Sequence, residues 1–378
     1  MLGQPLKLAF IGGGVNSAVG YTHLIASQMD HRWELVSACF SRNTEINKAT
    51  ASQWNLHDIR LHDDWKSLVE KEVGQVDAVA VLTPTPTHFE IVSRSLELGI
   101  PVICEKALTT SHQEGLKLCE AVETSSGFLA VTHNYTGYPM LREIRSMIIQ
   151  GELGRLINIA IEMPQEGFIR VDKDGKCMAP QAWRLQDGVI PSVSLDLGAH
   201  LQHMIYFLSN EDPLAVVADQ ASFGHFKEVV DDVSCMARYK SGMKSQMWFG
   251  KSAIGHRNGL KVRVYGTKGS AEWFQMEPEI ARVYSVDGNQ MVLDRASDVA
   301  VASMPRYNRF KSGHPAGFIE AFANLYLDIA ETYLDYRQHR NLDSEWIYGC
   351  RRAVKGLAVL EAMAGSSQAH EWVNPEDL

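Results

Sequence analysis

Short apolar runs alternate with amphipathic segments over the first third of the chain. The strand-like runs cover residues 6–12, 34–40, 76–82, 101–104 and 128–132. The helix-like segments cover residues 15–29, 44–54, a short stretch after 63–64, 88–98 and 111–124. The run at 76–82 is continuously apolar, which is typical of a parallel strand covered on both faces. This alternation predicts a doubly wound parallel sheet, in which ligands bind at the carboxyl ends of the strands.

The pattern changes at about residue 156. Runs of alternating polarity joined by Gly-containing turns predict a large, mostly antiparallel sheet. They cover residues 156–163, 215–223, 233–239, 244–249, 261–265 and 270–274. Helices are predicted at 192–208, 317–336 and 344–364, and an irregular stretch at 164–191 has the length of a functional loop. We therefore expect two domains, 1–137 and 138–378.

Bulk composition is that of an ordinary globular protein. The chain has 378 residues, of which 45% are hydrophobic and 21% charged, with a formal net charge of −9. The negative charge argues against nucleic-acid partners and anionic membranes. No stretch has the roughly 18 apolar residues of a membrane span, and the first strand begins by Leu6, where a signal peptide would lie. We expect a cytoplasmic protein.

The cysteines and histidines predict no metal centre. Six cysteines are scattered without a C-x-x-C pair, so we expect reduced, mostly buried thiols rather than a zinc site or a disulfide framework. His200 and His203 have a spacing that suits two metal ligands, but no third ligand is indicated nearby.

The clearest motif lies at the end of the first strand. Gly12, Gly14 and Ser17 fit G-x-G-x-x-G with Ser in place of the third glycine. Such glycines allow a tight turn and close approach of a pyrophosphate, while the following helix N-terminus faces the anion. Glycine-rich turns also simply link strands to helices, but the position between a strand and a helix of a βαβ unit favours a dinucleotide site.

The end of the second strand bears on the choice of dinucleotide. It reads Phe40-Ser41-Arg42-Asn43, with no carboxylate to accept from a ribose 2′-hydroxyl. An arginine there can accommodate the 2′-phosphate of NADP, although an exposed arginine at a strand end is equally ordinary. We therefore expect NAD(P), with a slight preference for NADP.

Two charged clusters carry candidate chemistry. Lys106 follows Glu105 at a strand end, where a lysine can bond a nicotinamide ribose and a reacting hydroxyl; otherwise it is a solvated loop residue. Asp196 and His200 are four residues apart on a predicted helix, which places carboxylate and imidazole on one face. Imidazole is suited to taking a hydroxyl proton near neutral pH, but the pair is also compatible with an ordinary helix face.

Together these motifs resemble the Gfo/Idh/MocA oxidoreductases over essentially the whole chain. The matching segments are the glycine motif, Thr83-Pro84 through His88, Glu105-Lys106, Asn134 through Pro139, Asp196 through His200 and the hairpin Tyr265 through Ser270.

The resemblance implies a nicotinamide-dependent dehydrogenase of sugars or cyclitols. It implies an N-terminal Rossmann domain and a C-terminal α+β domain whose open sheet mediates assembly into a homodimer or homotetramer. Lys106 and His200 would be catalytic, with Asp196 contacting the substrate or orienting it. Trp183 and Arg184 resemble a substrate-loop signature, although Trp183 also suits structural packing. Cofactor contacts are expected at Gly12, Gly14, Asn16, Ser17, Ser41, Arg42, Thr83, Pro84, His88, Glu105, Lys106 and Asn134.

The chain departs from the family pattern in three places. The usual Glu-Lys-Pro reads Glu105-Lys106-Ala107, the glycines before D-x-x-x-H are replaced at 189–194, and His203 stands where Asp is frequent. Two other functions are compatible with the motifs. One is an NAD-dependent glycosidase that oxidises its sugar only transiently, and the other is a non-catalytic dinucleotide-binding regulator.

Overall fold

The computed structural model describes residues 4–340 and 344–377. Its chain forms two compact units. The first comprises the residues up to Thr109, Gln113–Gly137 and Phe318–Val354, and the second comprises Thr110–His112, Tyr138–Gly317 and the residues from Lys355 onward. The sequence predicts one domain over 1–137 and another over 138–378; by packing, the segment Phe318–Val354 belongs with the first unit.

A parallel sheet forms the centre of the first unit. Its strands within the described residues are β1 (Leu6–Gly12), β2 (Trp33–Cys39), β3 (Arg60–Leu61), β4 (Ala78–Leu82), β5 (Val102–Glu105) and β6 (Leu129–Thr132). Every described pairing is parallel and the order is β3-β2-β1-β4-β5-β6. This confirms the predicted doubly wound sheet, whose order reverses between β1 and β4.

Helices cover both faces of this sheet. They are α1 (Gly20–Gln28), α2 (Thr44–Gln53), α3 (Trp65–Lys71), α4 (His88–Glu97) and α5 (His112–Ser125). Side chains alternate along β1: Leu8 and Phe10 pack on the side of α1, and Ala9 and Ile11 pack on the side of α3, α4 and α5. The two apolar faces explain why these strands read as continuous hydrophobic runs.

A helix from far along the chain completes the α1 layer. In this helix, α8 (Phe318–His339), the buried aromatic residues Phe322, Tyr326 and Tyr333 join the core around Trp33. The indole N–H of Trp33 donates to the backbone carbonyl of Tyr326 at 3.0 Å. Residues 318–354 cluster with the first unit because this apolar surface covers the sheet.

A mixed sheet and two helices define the second unit. The helices are α6 (Pro139–Ile149) and α7 (Ala199–Ser209). The strands within the described residues are β7 (Leu156–Pro164), β8 (Pro213–Ala221), β9 (Asp232–Tyr239), β10 (Lys244–Gly250), β11 (Lys261–Gly266), β12 (Gly269–Phe274), β13 (Ala281–Ser285) and β14 (Gln290–Leu293). Their order is β14-β13-β12-β11-β7-β10-β9-β8, with β7 and β10 parallel and the other pairs antiparallel. A last helix, α9 (Cys350–Ala369), begins in the first unit and continues in the second.

Some predicted element boundaries were wrong. α1 begins at Gly20 rather than near Val15, because Val19 is not helical and the preceding residues form a longer loop. α9 begins at Cys350 rather than Ser344, because residues 344–349 form bends and irregular structure. The elements α6, β13 and β14 were not predicted from the sequence pattern. Among the described helices, none combines the length and hydropathy needed to cross a bilayer.

A buried carboxylate fastens the edge of the parallel sheet. Glu72, 2% exposed at the end of α3, accepts from Arg60 Nε at 2.9 Å and Nη2 at 2.6 Å, and lies 3.0 Å from His62 Nε2. Burial alone would raise the pKa of Glu72, but the bonds from Arg60 and His62 lower it to about 2.

Glu72→Gln tests this contribution to stability. The folded pKa of about 2 lies below the ordinary value of 4.5, so the stabilisation is complete above about pH 4.5 and is lost as the pH falls toward 2. Urea unfolding should therefore show a loss of about 2 kcal/mol near pH 7 that shrinks through this window. Glu70→Gln, on the exposed side of α3, is the control. An equal loss in both variants, or one independent of pH, would contradict the assignment.

Candidate functional site

The loop after β1 is built on glycine. Gly12 and Gly13 have φ of +85° and +78°, where side chains are strained. At Gly20, the first residue of α1, an added Cβ would lie 1.7 Å from the carbonyl oxygen of Gly13. This close approach shows that Gly20 fills the packing role the motif gives to its third glycine. Ser17, assigned to that position from the sequence, does something else.

Ser17 stabilises the start of α1. Its hydroxyl accepts from the backbone N–H groups of Val19 at 3.3 Å and Gly20 at 3.2 Å. The N–H of Val15 donates to Thr50 at 3.2 Å, while Asn16 is exposed at the loop tip. Sequence reasoning missed Gly20 because the loop is longer than the motif allows; a glycine just before the periodic part of the helix was the available signal.

The loop after β2 is held by a buried amide. Asn47 accepts from the Ser41 N–H at 2.7 Å and donates to the Ser41 carbonyl at 3.0 Å. Arg42 is exposed beside them. Asp63 also reaches this loop, since it accepts from Thr44 at 2.8 Å. The loop after β2 thus carries one exposed cation, Arg42, and has one carboxylate, Asp63, bonded to the residue that begins α2.

His88 links the loops that follow β4 and β5. It is fully buried, with Nε2 2.8 Å from the Thr83 carbonyl oxygen and Nδ1 2.9 Å from the Ala107 carbonyl oxygen. Burial lowers the pKa of this imidazole. Pro84 begins the turn between Thr83 and His88. Both contacts of His88 are to backbone carbonyl groups, so His88 positions the loops after β4 and β5 relative to each other. Lys106 lies in the loop after β5.

Glu105 lies at the carboxyl end of β5 in a buried hydrogen-bond network. Its Oε1 is 3.0 Å from His23 Nε2 and accepts from the Thr132 hydroxyl. His23 Nδ1 is 2.8 Å from the Tyr326 hydroxyl, so the network joins β5, β6, α1 and α8. Burial would raise the pKa of Glu105, but His23, Lys106 and Thr132 hold it below its ordinary value. The carboxylate next to Lys106 is therefore ionised.

Asn134 and His133 follow β6 at the same sheet edge. Burial, reinforced by the charge of Lys106, lowers the pKa of His133 to about 3, so its imidazole is neutral at physiological pH. Asn134 is 3% exposed, and its amide Nδ2 has no hydrogen-bond partner among the described residues. A buried amide donor of this kind suits a bound polar group. The glycine loop and Asn134 thus fit a dinucleotide.

In the second unit, two cations clamp Asp196. Arg184 donates from Nε to Oδ2 at 3.0 Å and from Nη2 to Oδ1 at 3.1 Å, and Lys251 Nζ donates to Oδ2 at 2.6 Å. Asp196 and Lys251 are each 8% exposed. The clamp fixes the orientation of the carboxylate, because a bidentate guanidinium leaves its plane little freedom.

Lys251 is a site residue that sequence reasoning missed. Lys251 directly follows β10, and the local sequence does not indicate that it contacts Asp196, which lies 55 positions earlier. Its ammonium also lies 5.4 Å from the centre of the Phe168 ring. A lysine directly after a strand, as with Lys106, was the available signal.

The helix of Asp196 is not a regular α-helix. Ser194–Gly198 forms a π-helical turn, and α7 follows from Ala199. His200, in the first turn of α7, is 7% exposed. The sequence predicted Asp196 and His200 on one α-helical face, but the wider turn changes their relative rotation. Such turns recur at functional sites.

Trp183 and Arg184 lie in a short 3-10 helix of the long loop. The guanidinium carbon of Arg184 lies 4.4 Å from the centre of the Trp183 ring, and the Trp183 indole donates to Gln181 at 3.0 Å.

Within the described residues no three His, Cys, Asp or Glu side chains are arranged to hold a metal ion. His203 is buried on α7.

Two family models match the chain. One, described as the oxidoreductase family with an NAD-binding Rossmann fold, matches residues 6–133. The other, the GFO/IDH/MocA C-terminal domain, matches residues 141–272.

Solved structures and curated proteins agree with these matches. An inositol dehydrogenase homolog from Azotobacter vinelandii, complexed with NADH and myo-inositol, is 26% identical with a TM-score of 0.88 over 99% of this chain and 98% of that one. An oxidoreductase from Sinorhizobium meliloti is 31% identical with a TM-score of 0.84 over 98% and 100%. Levoglucosan dehydrogenase from Pseudarthrobacter phenanthrenivorans is 24% identical over 71% of this chain and 73% of its own.

The fold, the glycine loop and these matches lead to one assignment. The chain belongs to the GFO/IDH/MocA oxidoreductase family and carries its NAD-binding Rossmann domain.

Proposed function

We propose that this protein transfers a hydride between a nicotinamide cofactor and a secondary hydroxyl of a sugar or cyclitol. The observation that carries the proposal is the buried pair Asp196 and His200, in a chain that also holds a dinucleotide cradle. The inositol dehydrogenase homolog and levoglucosan dehydrogenase support this substrate class.

The cofactor would be held by residues at the carboxyl edge of the parallel sheet. The loop from Gly12 to Ser17 and the α1 N-terminus would take the pyrophosphate, and Ser41 with Arg42 would take the adenosine ribose. Asn134 has the free amide donor for a polar group of the nicotinamide half. When bound, the nicotinamide accepts or returns the hydride.

The protein's own share is proton transfer and charge stabilisation. We assign His200 as the general base that takes the hydroxyl proton, and Lys106 as the cation that stabilises the developing alkoxide. Asp196, held in place by Arg184 and Lys251, would accept a hydrogen bond from the substrate or orient it. Trp183 and Arg184 would form part of the pocket wall.

Two finer features remain proposals. Arg42 favours NADP slightly, and nearby Asp63 opposes a 2′-phosphate. The other concerns assembly. The outer face of the eight-stranded sheet exposes Met236 and Trp248 and carries a groove of about 470 Å³. These exposed apolar side chains support assembly of the chain into a homodimer or homotetramer. Cytoplasmic localisation stays a prediction.

A substrate screen tests the function directly. Purified protein is mixed with NAD⁺ or NADP⁺ and a panel of inositols, aldoses, anhydrosugars and glycosides, and reduced nicotinamide is followed at its absorbance maximum. We expect reduction with at least one free polyol. Release of an aglycone without net cofactor reduction would replace the proposal by the glycosidase, and tight cofactor binding with neither product would replace it by the regulator.

The roles of Lys106 and His200 can be separated from cofactor binding. Lys106→Ala and His200→Ala should each lower kcat about 10³-fold, because one removes charge stabilisation and the other proton transfer. The dinucleotide Kd, measured by fluorescence titration, should change less than about threefold.

The chain offers matched controls for both variants. Lys117 is an exposed lysine of α5, and Asp335 with His339 repeats the D-x-x-x-H spacing on α8 with Nδ1 and Oδ1 2.7 Å apart. Lys117→Ala and His339→Ala should keep wild-type turnover. Near-normal kcat in either test variant would remove that residue from the mechanism.

Arg42→Ala tests the cofactor preference. Loss of the cation should lower kcat/KM for NADP⁺ about tenfold, the scale of one exposed charge-assisted contact. The kcat/KM for NAD⁺ should be unchanged. Lys48→Ala, on the exposed side of α2, controls for general surface charge. If both cofactors respond equally to Arg42→Ala, Arg42 does not read the 2′-phosphate.

A further inference from the structure

Two cysteines outside the candidate site face each other in the first unit. Cys119 lies on α5 and Cys350 is the first residue of α9, and their thiols are hydrogen-bonded to each other. The Cys350 thiol also lies 3.8 Å from the carbonyl oxygen of Gly115, one turn before Cys119. The two side chains are 9% and 5% exposed. Both thiols are therefore buried, and only a small part of each side chain reaches solvent.

An ion pair next to the thiols also joins α5 to the start of α9. Arg351, one residue after Cys350, bonds Glu123, one turn after Cys119, with Nε–Oε1 and Nη2–Oε1 distances of 2.9 and 2.7 Å. Both side chains are exposed, so the pair adds little stability. It shows that α5 and the start of α9 run side by side at this point.

The chemistry of the pair differs from that of the other buried thiols. A hydrogen bond from Cys350, helped by Arg351, lowers the pKa of Cys119 although burial and Glu123 oppose the change. Burial raises the pKa of Cys39 to about 11 and that of Cys235 to about 12. The thiolate is the reactive form of cysteine. Cys119 is thus the candidate nucleophile, with Cys350 beside it as the resolving thiol.

We propose that Cys119 and Cys350 form a reversible disulfide when the protein meets a small-molecule disulfide such as oxidised glutathione. The Cys119 thiolate attacks one sulfur of the oxidant and expels a glutathione thiolate. Cys350, after losing its proton to solvent, attacks the sulfur of Cys119 and expels the second glutathione as a thiolate. The cysteine pair is oxidised by two electrons and the small disulfide is reduced by two.

The disulfide would join α5 covalently to the start of α9. Because the two residues are far apart in sequence, the bond would restrict the unfolded chain over a long loop and stabilise the folded one. Neither cysteine belongs to the proposed catalytic or cofactor-binding residues. The inference is therefore independent of the proposed function.

Peptide mapping of the intact protein tests the inference. Folded protein is incubated with oxidised glutathione at pH 8, remaining thiols are blocked, and a non-reducing digest is analysed by mass spectrometry. We expect a peptide linked through Cys119 and Cys350, loss of two thiols per chain, and a rise of several degrees in Tm that dithiothreitol reverses. Cys177→Ser, which removes a partly exposed thiol, should still give the linked peptide.

Other products would overturn the inference. They are a mixed disulfide that stops at Cys119, a crosslink through Cys177, or an unchanged thiol count after treatment. Cys350→Ser provides a second check: it should leave glutathione bound at Cys119 with no linked peptide. The peptide map of the wild-type protein decides the test by itself. It remains decisive even if Cys350→Ser does not fold.

Discussion

The first unit depends on keeping one carboxylate ionised inside a protein core. Glu105 sits at the end of β5, where a charge without partners would cost several kcal/mol. Its partners come from three different elements: His23 on α1, Thr132 on β6 and, through His23, Tyr326 on α8. Satisfying this charge therefore requires the strand order, the path of α1 and the return of α8 to be correct together. The same carboxylate sits next to Lys106, so the constraint that organises the fold also sets the electrostatics there.

Local pattern was sufficient for most of the architecture. The parallel strands could be predicted because burial on both faces leaves a continuous apolar run, as in β4. The second sheet could be predicted because exposed and buried residues alternate along its strands, as in β9. The placement of α8 could not be predicted, since its amphipathic pattern says that it covers an apolar surface and not which one.

The candidate site was predictable to the extent that its residues lie in motifs. Gly12, Lys106, Asp196 and His200 stand at strand ends or at characteristic spacings. Gly20 was missed because the need for glycine there comes from the Gly13 carbonyl, a contact that depends on loop length. Lys251 was missed for a similar reason. Its role comes from the bond to Asp196, which lies 55 residues away in sequence and becomes a neighbour only when the second unit folds.

The π-helical turn at Ser194–Gly198 makes the length of this segment as constrained as its composition. A π turn holds one residue more than the α turn that it replaces. Deleting Leu197 or Gly198 would restore α-helical hydrogen bonding and rotate Asp196 relative to α7 by about 100°. Asp196 would then leave Arg184 and Lys251, although every side chain named in the clamp was still present. Natural variation in this segment should therefore proceed by substitution, because insertions and deletions disrupt the clamp.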